Sequence, residues 1–214
     1  MSDRELDAAG ISKSELRASY SECKRLNSLH GKTYYLATLL LPPAKRPFVH
    51  ALYGFARYAD EIVDDLASTL TPDEKKEALQ KWSAGILNDL AQGVSHDHIG
   101  AALVDTVQRF SIPLEHFHAF LHSMAMDISV TRYQNYAALT EYVYGSAAVI
   151  GLEMVPILGP LSDDAYPAAE KLGIAFQLAN FIRDVGEDLD RGRIYLPLDE
   201  LHSFNVTEEM LLNR

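Results

Sequence analysis

Two acidic segments, Asp60-Glu61-Ile62-Val63-Asp64-Asp65 and Asp184-Val185-Gly186-Glu187-Asp188-Leu189-Asp190, each hold aspartates four residues apart. At about 3.6 residues per turn each residue advances by roughly 100°, so Tyr53, Arg57, Asp60 and Asp64 share one helix face, with Glu61 beside them. By the same arithmetic Asn180, Asp184 and Asp188 fall within roughly 80° of one another, in register with Gln177. Like charges at this spacing oppose a helix unless a cation lies among them. A divalent metal would supply it, since Mg²⁺ takes one or two carboxylates and completes its octahedron with water and phosphate oxygens. The pattern is that of a diphosphate site: carboxylates hold the metal, the metal grips phosphate oxygens, and Arg57, Arg183, Arg193 and Lys32 are the candidate cations for the remaining charge.

The alternative is that the acids only solubilise helix surfaces, as most single aspartates do. Two features weigh against it. The two stripes match, with Gln, Asn and Arg in register, and the residues preceding each one, Tyr53 to Ala59 and Leu172 to Ile182, are largely apolar. Such runs are expected to be at least partly buried, and a buried carboxylate without counter-charge is costly.

The elements that must carry these stripes read as helices. Turn signals fall at Pro42-Pro43, Ser68 to Pro72, Gly93 to His96, Ile112-Pro113, Gly159-Pro160 and Leu196-Pro197. Between them the apolar residues recur with helical period and almost no alternation. Thr71-Pro72-Asp73-Glu74 and Ser162-Asp163-Asp164 are the best helix starts. An all-α bundle in one domain follows, with the opening through about Gly10 expected to be loose. Gly192 and Pro197 should end the second acidic helix, and the Arg191–Pro197 stretch is either a lid over the site or a plain helix-ending loop.

Composition narrows the function classes. With 214 residues and 48% hydrophobic content the chain can bury a real core. A single cysteine, Cys23, excludes an internal disulfide framework and reads as an apolar filler. A net charge of −11 argues against nucleic-acid partners and against simple attachment to anionic lipid. No secretory signal is visible, no Gly-rich nucleotide loop occurs, and the apolar stretch from Ala147 to Leu161 is broken by Glu153, Pro156, Gly159 and Pro160, which argues against a membrane span.

The motifs resemble those of the squalene and phytoene synthases, the trans head-to-head prenyl synthases. Asp60 to Asp64 matches the family's first Asp-x-x-x-Asp motif, with Tyr53 and Arg57 upstream. Gln177 to Asp188, followed by Arg191-Gly192-Arg193-Ile194-Tyr195-Leu196-Pro197, is similar to the second and is a long, specific match. His30-Gly31-Lys32-Thr33-Tyr34-Tyr35 resembles the N-terminal substrate-lining stretch, and Tyr144 to Gly151 the small-residue helix in mid-chain, where Gly145, Ser146 and Ala148 depart in detail. The likeness runs from about Tyr20 to the end, and family members continue beyond it for several helices, so the chain is expected to be C-terminally truncated.

The resemblance implies an isoprenoid synthase (terpenoid synthase-like) helical bundle, residues 1–214, with a central cavity. It implies Mg²⁺-dependent condensation, Mn²⁺ being an alternative, of two geranylgeranyl diphosphates through a cyclopropyl diphosphate to phytoene, a carotenoid precursor, with no NADPH. Asp60, Asp64, Asp184, Asp188, Tyr53 and Arg57 would be catalytic. Asp60, Glu61, Asp64, Asn180, Asp184 and Asp188 would hold metal, and His30, Lys32, Thr33, Gln177, Asn180, Arg183, Arg193 and Tyr195 would contact substrate. Asp127 and Arg132-Tyr133 are further candidates for substrate contact. Tyr34, Tyr35, Phe48, Phe55 and Phe120 are expected mainly in the core, and His118 and His122 on an exposed helix side rather than in a di-iron site, which would need a second Glu-x-x-His. Isoprenyl diphosphates are the expected partners, in the cytoplasm, with peripheral attachment at the inner membrane face. A squalene or dehydrosqualene synthase acting on farnesyl diphosphate, or a non-catalytic lipid-binding or assembly relative, are the competing readings.

Overall fold

The protein is described by a computed structural model covering residues 3–64 and 69–213, without the side chains of Asp3 and Asp64. Asp65 and Ser68 therefore lie outside the described residues. Every named element is helical, and the one β-bridge among the described residues joins Arg132 to Ile194.

The short α1 (Asp3–Ala8) precedes the packed pair α2 (Ser14–His30) and α4 (Arg46–Asp64), which α3 (Lys32–Thr38) and the Pro42-Pro43 turn connect. Within the opening expected to be loose, the described residues 3–10 form α1 and a turn packed on the bundle. Leu6 and Ile11 are buried, and buried Glu5 pairs with Lys24 at 2.6 Å and Arg46 at 3.1 Å. Two cations on different helices hold that acid, a tertiary effect invisible in the terminal segment alone.

On α4 the spacing divides the work between two faces. Phe48, Leu52, Phe55, Ala59 and Val63 recur every three or four residues and are all buried, leaving Tyr53, Arg57, Asp60 and Glu61 half-exposed on another side. Phe55 meets the rings of Trp82, Phe117 and Phe120 at 5.2–5.6 Å. These rings come from α5 (Pro72–Gln92) and α7 (Leu114–Ser129), which pack on α4 together with α6 (Gly100–Phe110). Burial of one such ring contributes roughly 1.5–3 kcal/mol. Thr71 caps α5 in a complete capping box with Glu74. Phe48 and Phe55 lie in the core as expected, whereas Tyr34 is 66% exposed, because α3 has no helix over its outer side among the described residues. Cys23 is buried, and His118 and His122 are exposed on α7.

The middle of the chain is one continuous helix: α8 (Tyr136–Val143), a π-helical turn at Tyr144–Ala148, and α9 (Val149–Leu158), which runs through Pro156. Tyr136–Leu158 is long and apolar enough to cross a bilayer by length and composition alone, a test that a core helix also meets, and half of the qualifying window is buried inside the bundle. Its small residues are required by close approach. A Cβ on Gly145 would lie 2.1 Å from the Ala119 carbonyl oxygen of α7, and one on Gly173 2.6 Å from the Ala147 oxygen. Gly173 belongs to α10 (Ala165–Asp190), so the π turn is clamped between α7 and α10.

Helix α10 is partly buried, as expected, with Ile174 and Leu178 packed beside Phe181. Only Phe181 and Leu189 are fully buried, and Leu172, Phe176 and Ile182 are more than half exposed, because α9 and the π turn cover one side of it. Its start is not capped by a side chain, since Ser162 donates to Asp164 instead. It ends as read from the sequence, at Gly192 with φ +74°, and α11 (Leu198–Ser203) follows Pro197, with α12 (Glu208–Leu212) closing the chain.

Candidate active site

Helices α4 and α10 both line a hollow of about 350 Å³. Tyr53, Arg57 and Asp60 line it from α4, and Gln177, Asn180, Asp184 and Asp188 from α10. The loop after α10 adds Arg191, Arg193 and Tyr195. Residues more than 120 positions apart in sequence thus share one space, and the i,i+3 and i,i+4 spacings do what the helix geometry requires of them.

The acids are not buried without counter-charge. The Asp60 and Asp184 side chains are 45% and 34% exposed, and arginines attend both stripes. Arg57 bonds Asp60 at 2.8 Å and Glu61 at 3.4 Å; Arg183 grips Asp184 with two bonds of 2.6 Å; Arg191 pairs with Glu187 at 2.6 Å. Arginine one residue or one turn away therefore supplies the cation that the spacing demands, so acid repulsion alone does not require a metal. The Arg183 hydrogen bonds hold the Asp184 carboxyl below the usual range. Its neighbour Asp188 is pushed up, first by burial and then by the charge of Asp184.

The donor set nevertheless fits a hard cation. Every acid lining the hollow offers oxygen, and among the described residues no three His, Cys, Asp or Glu side chains converge into a cage of their own. Carboxylate and amide oxygens are the donors that Mg²⁺ takes when it also binds phosphate oxygens. Two buried polar atoms in the hollow's lining, Arg57 Nε and Ser146 Oγ, have no hydrogen-bond partner, and such atoms ordinarily have one.

The remaining anticipated residues lie beside the hollow. Glu61 turns to Arg57 and to His30, whose Nε2 is 3.7 Å away. Lys32 and Thr33 are exposed on α3 and Arg183 on α10, none of them lining the hollow. Next to Lys32 and Thr33 on α3, the Tyr34 ring stands 6.4 Å from Tyr53, which does line the hollow. The side chain of Asp64 is outside the description. The Arg191–Pro197 segment is tied down rather than free: Ile194 N donates to Thr131 O, Leu198 N to Tyr133 O, and Arg132 to Gly192 O.

The apolar floor was largely missed. Phe120, Met124, Tyr142, Ser146 and Phe181 line the hollow beneath the acids, with Asp127 among them. Tyr195 stacks on Phe181 at 4.4 Å and lies 5.5 Å from Tyr142. Phe120, Met124 and Asp127 share one face of α7, but the others come from α8, the π turn and α10, and no local periodicity links the four segments. The signals available were that α7 stripe and Asp127, an acid at its inner end.

Comparison with known proteins agrees with this geometry. A family model for squalene/phytoene synthase matches residues 28–214. The chain is 41% identical over 205 residues to a chloroplastic phytoene synthase of an Oncidium hybrid cultivar, covering 92% of this chain and 48% of the relative. It is 40% identical over 208 residues to the 15-cis-phytoene synthase of Synechocystis, covering 91% and 60%. The chain therefore spans about half the length of the plant relative. Among solved structures, squalene synthase HpnC from Alicyclobacillus acidocaldarius superposes with TM-score 0.85 at 27% identity, over 96% of this chain and 76% of that one. A dehydrosqualene synthase in complex with ligand gives 0.82 at 31%, over 92% and 68%.

Proposed function

The chain belongs to the squalene/phytoene synthase family, and from that premise we propose that it carries the site for head-to-head condensation of two geranylgeranyl diphosphates, through a cyclopropyl diphosphate, to phytoene. The observation that carries this reading is the hollow itself, lined together by acids and arginines from α4 and α10 and by aromatic rings. The substrate choice draws on relatives of about 40% identity that are phytoene synthases.

Asp60 and Asp64 from α4 and Asp184, Asp188 and Asn180 from α10 would hold Mg²⁺, which when bound supplies positive charge against the diphosphate oxygens. Arg57, Arg191 and Arg193 add fixed positive charge where the leaving group develops its negative charge, the electrostatic contribution that dominates such steps. Gln177 and Tyr53 orient the polar end. Tyr142, Phe181, Tyr195 and Phe120 form the floor on which the isoprenoid chains lie, exclude water from the allylic cation, and offer it ring faces. Attack by the second substrate's double bond on the allylic cation and loss of a proton then give the cyclopropyl diphosphate; loss of its diphosphate, rearrangement of the resulting cation and loss of a second proton give the hydrocarbon.

A second reading, condensation of farnesyl diphosphate, is favoured by the squalene and dehydrosqualene synthase structures that the fold matches. Full-length protein incubated with Mg²⁺ and either allylic diphosphate, followed by hydrocarbon extraction, separates the two. Phytoene formed without a nicotinamide reductant is the expected result. Product from farnesyl diphosphate alone favours the second reading, and metal-dependent binding without diphosphate release refutes both and makes the protein a binding relative. The apolar product accords with peripheral attachment at the cytoplasmic membrane face, which co-sedimentation with lipid vesicles checks.

A further inference from the structure

Asp127 is an acid that the diphosphate chemistry does not use. It lies near the end of α7, 8% exposed, on the apolar floor rather than on either acidic stripe. Tyr142 Oη donates to its Oδ2 at 2.6 Å and Tyr195 Oη to its Oδ1 at 2.9 Å, while Arg193 donates to its main-chain oxygen at 2.9 Å. Three chain segments that are separate in sequence therefore meet at one carboxylate. Burying a carboxylate is costly even when it is hydrogen-bonded, and a neutral side chain would fill the same space at lower cost.

The direction of the two phenol bonds gives the carboxylate a use. Both hydroxyls bond to Asp127 and to each other, so neither phenol is placed to protonate a substrate double bond. Both carboxylate oxygens are in turn covered by hydroxyls, so the negative charge is felt in the hollow without offering a bare nucleophile to a cation. The charge also enriches the two rings, which belong to the stacked set Phe181, Tyr195 and Tyr142. Burial first, and Asp127's charge second, hold both phenols above their ordinary ionisation range, so they stay neutral donors.

We propose that Asp127 is a positioning residue for the condensation: it locks the Tyr142 and Tyr195 hydroxyls onto itself and lends their rings negative charge, so that this wall sustains the carbocations formed after diphosphate leaves. The inference rests on the condensation reading and names which residue organises its cation-facing wall.

The test is the hydrocarbon formed per diphosphate released by full-length protein. Complete condensation gives one hydrocarbon for two diphosphates, and a cation lost to water gives an alcohol instead. Asp127→Asn keeps size but removes the charge, and its amide can accept from one phenol while its NH₂ displaces the other hydroxyl. The ratio is expected to fall about tenfold, the worth of one desolvated cation–ring contact, with prenyl alcohols making up the difference. Asp127→Glu, which keeps the charge, should recover part of it. Loss of folded protein lowers hydrocarbon and diphosphate together and leaves the ratio unmoved, so a purely structural role is distinguishable. Should Asp127→Asn not fold, Tyr195→Phe uncaps one carboxylate oxygen and should lower the ratio in the same direction. Active wild type with an unchanged ratio in the variants overturns this inference alone; wild type that releases no diphosphate overturns the condensation reading and this inference with it.

Discussion

Glu153 offers the sharpest test of how the bundle is packed. It lies on α9, wholly buried, with both carboxyl oxygens lacking hydrogen-bond partners. One turn to either side are Val149 and Ile157, both members of the main core cluster, so this acid points into the apolar interior. Burial alone pushes its carboxyl from 4.5 up to about 8. The native chain then keeps a proton that the unfolded chain releases above pH 4.5. Between pH 4.5 and 8 the unfolded state binds fewer protons than the native one, so stability falls as pH rises, by about 1.4 kcal/mol per unit. Below 4.5 both states are protonated and above 8 both are ionised, so the effect is confined to that window. It reaches about 3 kcal/mol at pH 7 and about 4 kcal/mol at pH 8. Glu153→Met, similar in size, removes the titration and should be more stable than wild type by a margin that widens across this range. Other titrating groups, such as His50, whose neutral form is favoured by burial, act in both proteins and cancel in the difference. Urea unfolding of both proteins at pH 5, 6.5 and 8 measures the gap. A gap that varies by less than about 1 kcal/mol over those pH values refutes the buried protonated carboxyl.

Three further outcomes follow from the same structure. Gly145→Val must push the π turn off α7, where a Cβ would stand 2.1 Å from the Ala119 oxygen and 2.2 Å from Ser123 Oγ; overpacking of this kind costs about 1–3 kcal/mol, seen as a fall in melting temperature. Asp60→Asn and Asp184→Asn each remove a carboxylate from one wall of the hollow, and each should lower kcat/KM for the allylic diphosphate by about a hundredfold or more with circular dichroism unchanged. Thr71→Ala breaks the capping box of α5 and should cost about 1 kcal/mol in chemical denaturation without affecting turnover.

The acidic stripes were legible in the sequence because they are local. Residues three and four apart on a helix share a face whatever the rest of the chain does, so Arg57 with Asp60, and Asn180 with Asp184 and Asp188, could be placed from spacing alone. The all-helical character and the Thr71 cap were readable for the same reason, as was the break at Gly192 before Pro197. What surrounds the stripes was not. The order of α1 depends on Lys24 and Arg46 reaching Glu5 from two other helices. The exposure of Leu172, Phe176 and Ile182 depends on which side of α10 the neighbouring helices cover, a question apolarity cannot answer. Counter-charge on the acids came from adjacent arginines, whose rotamers decide whether they pair or point away. The aromatic floor is the clearest case: Asp127, Tyr142, Phe181 and Tyr195 belong to separate segments and meet only because Gly145 and Gly173 let the π turn settle between α7 and α10. Spacing within one helix decides which chemistry a face can hold, whereas the packing of one helix on another decides what that face looks onto.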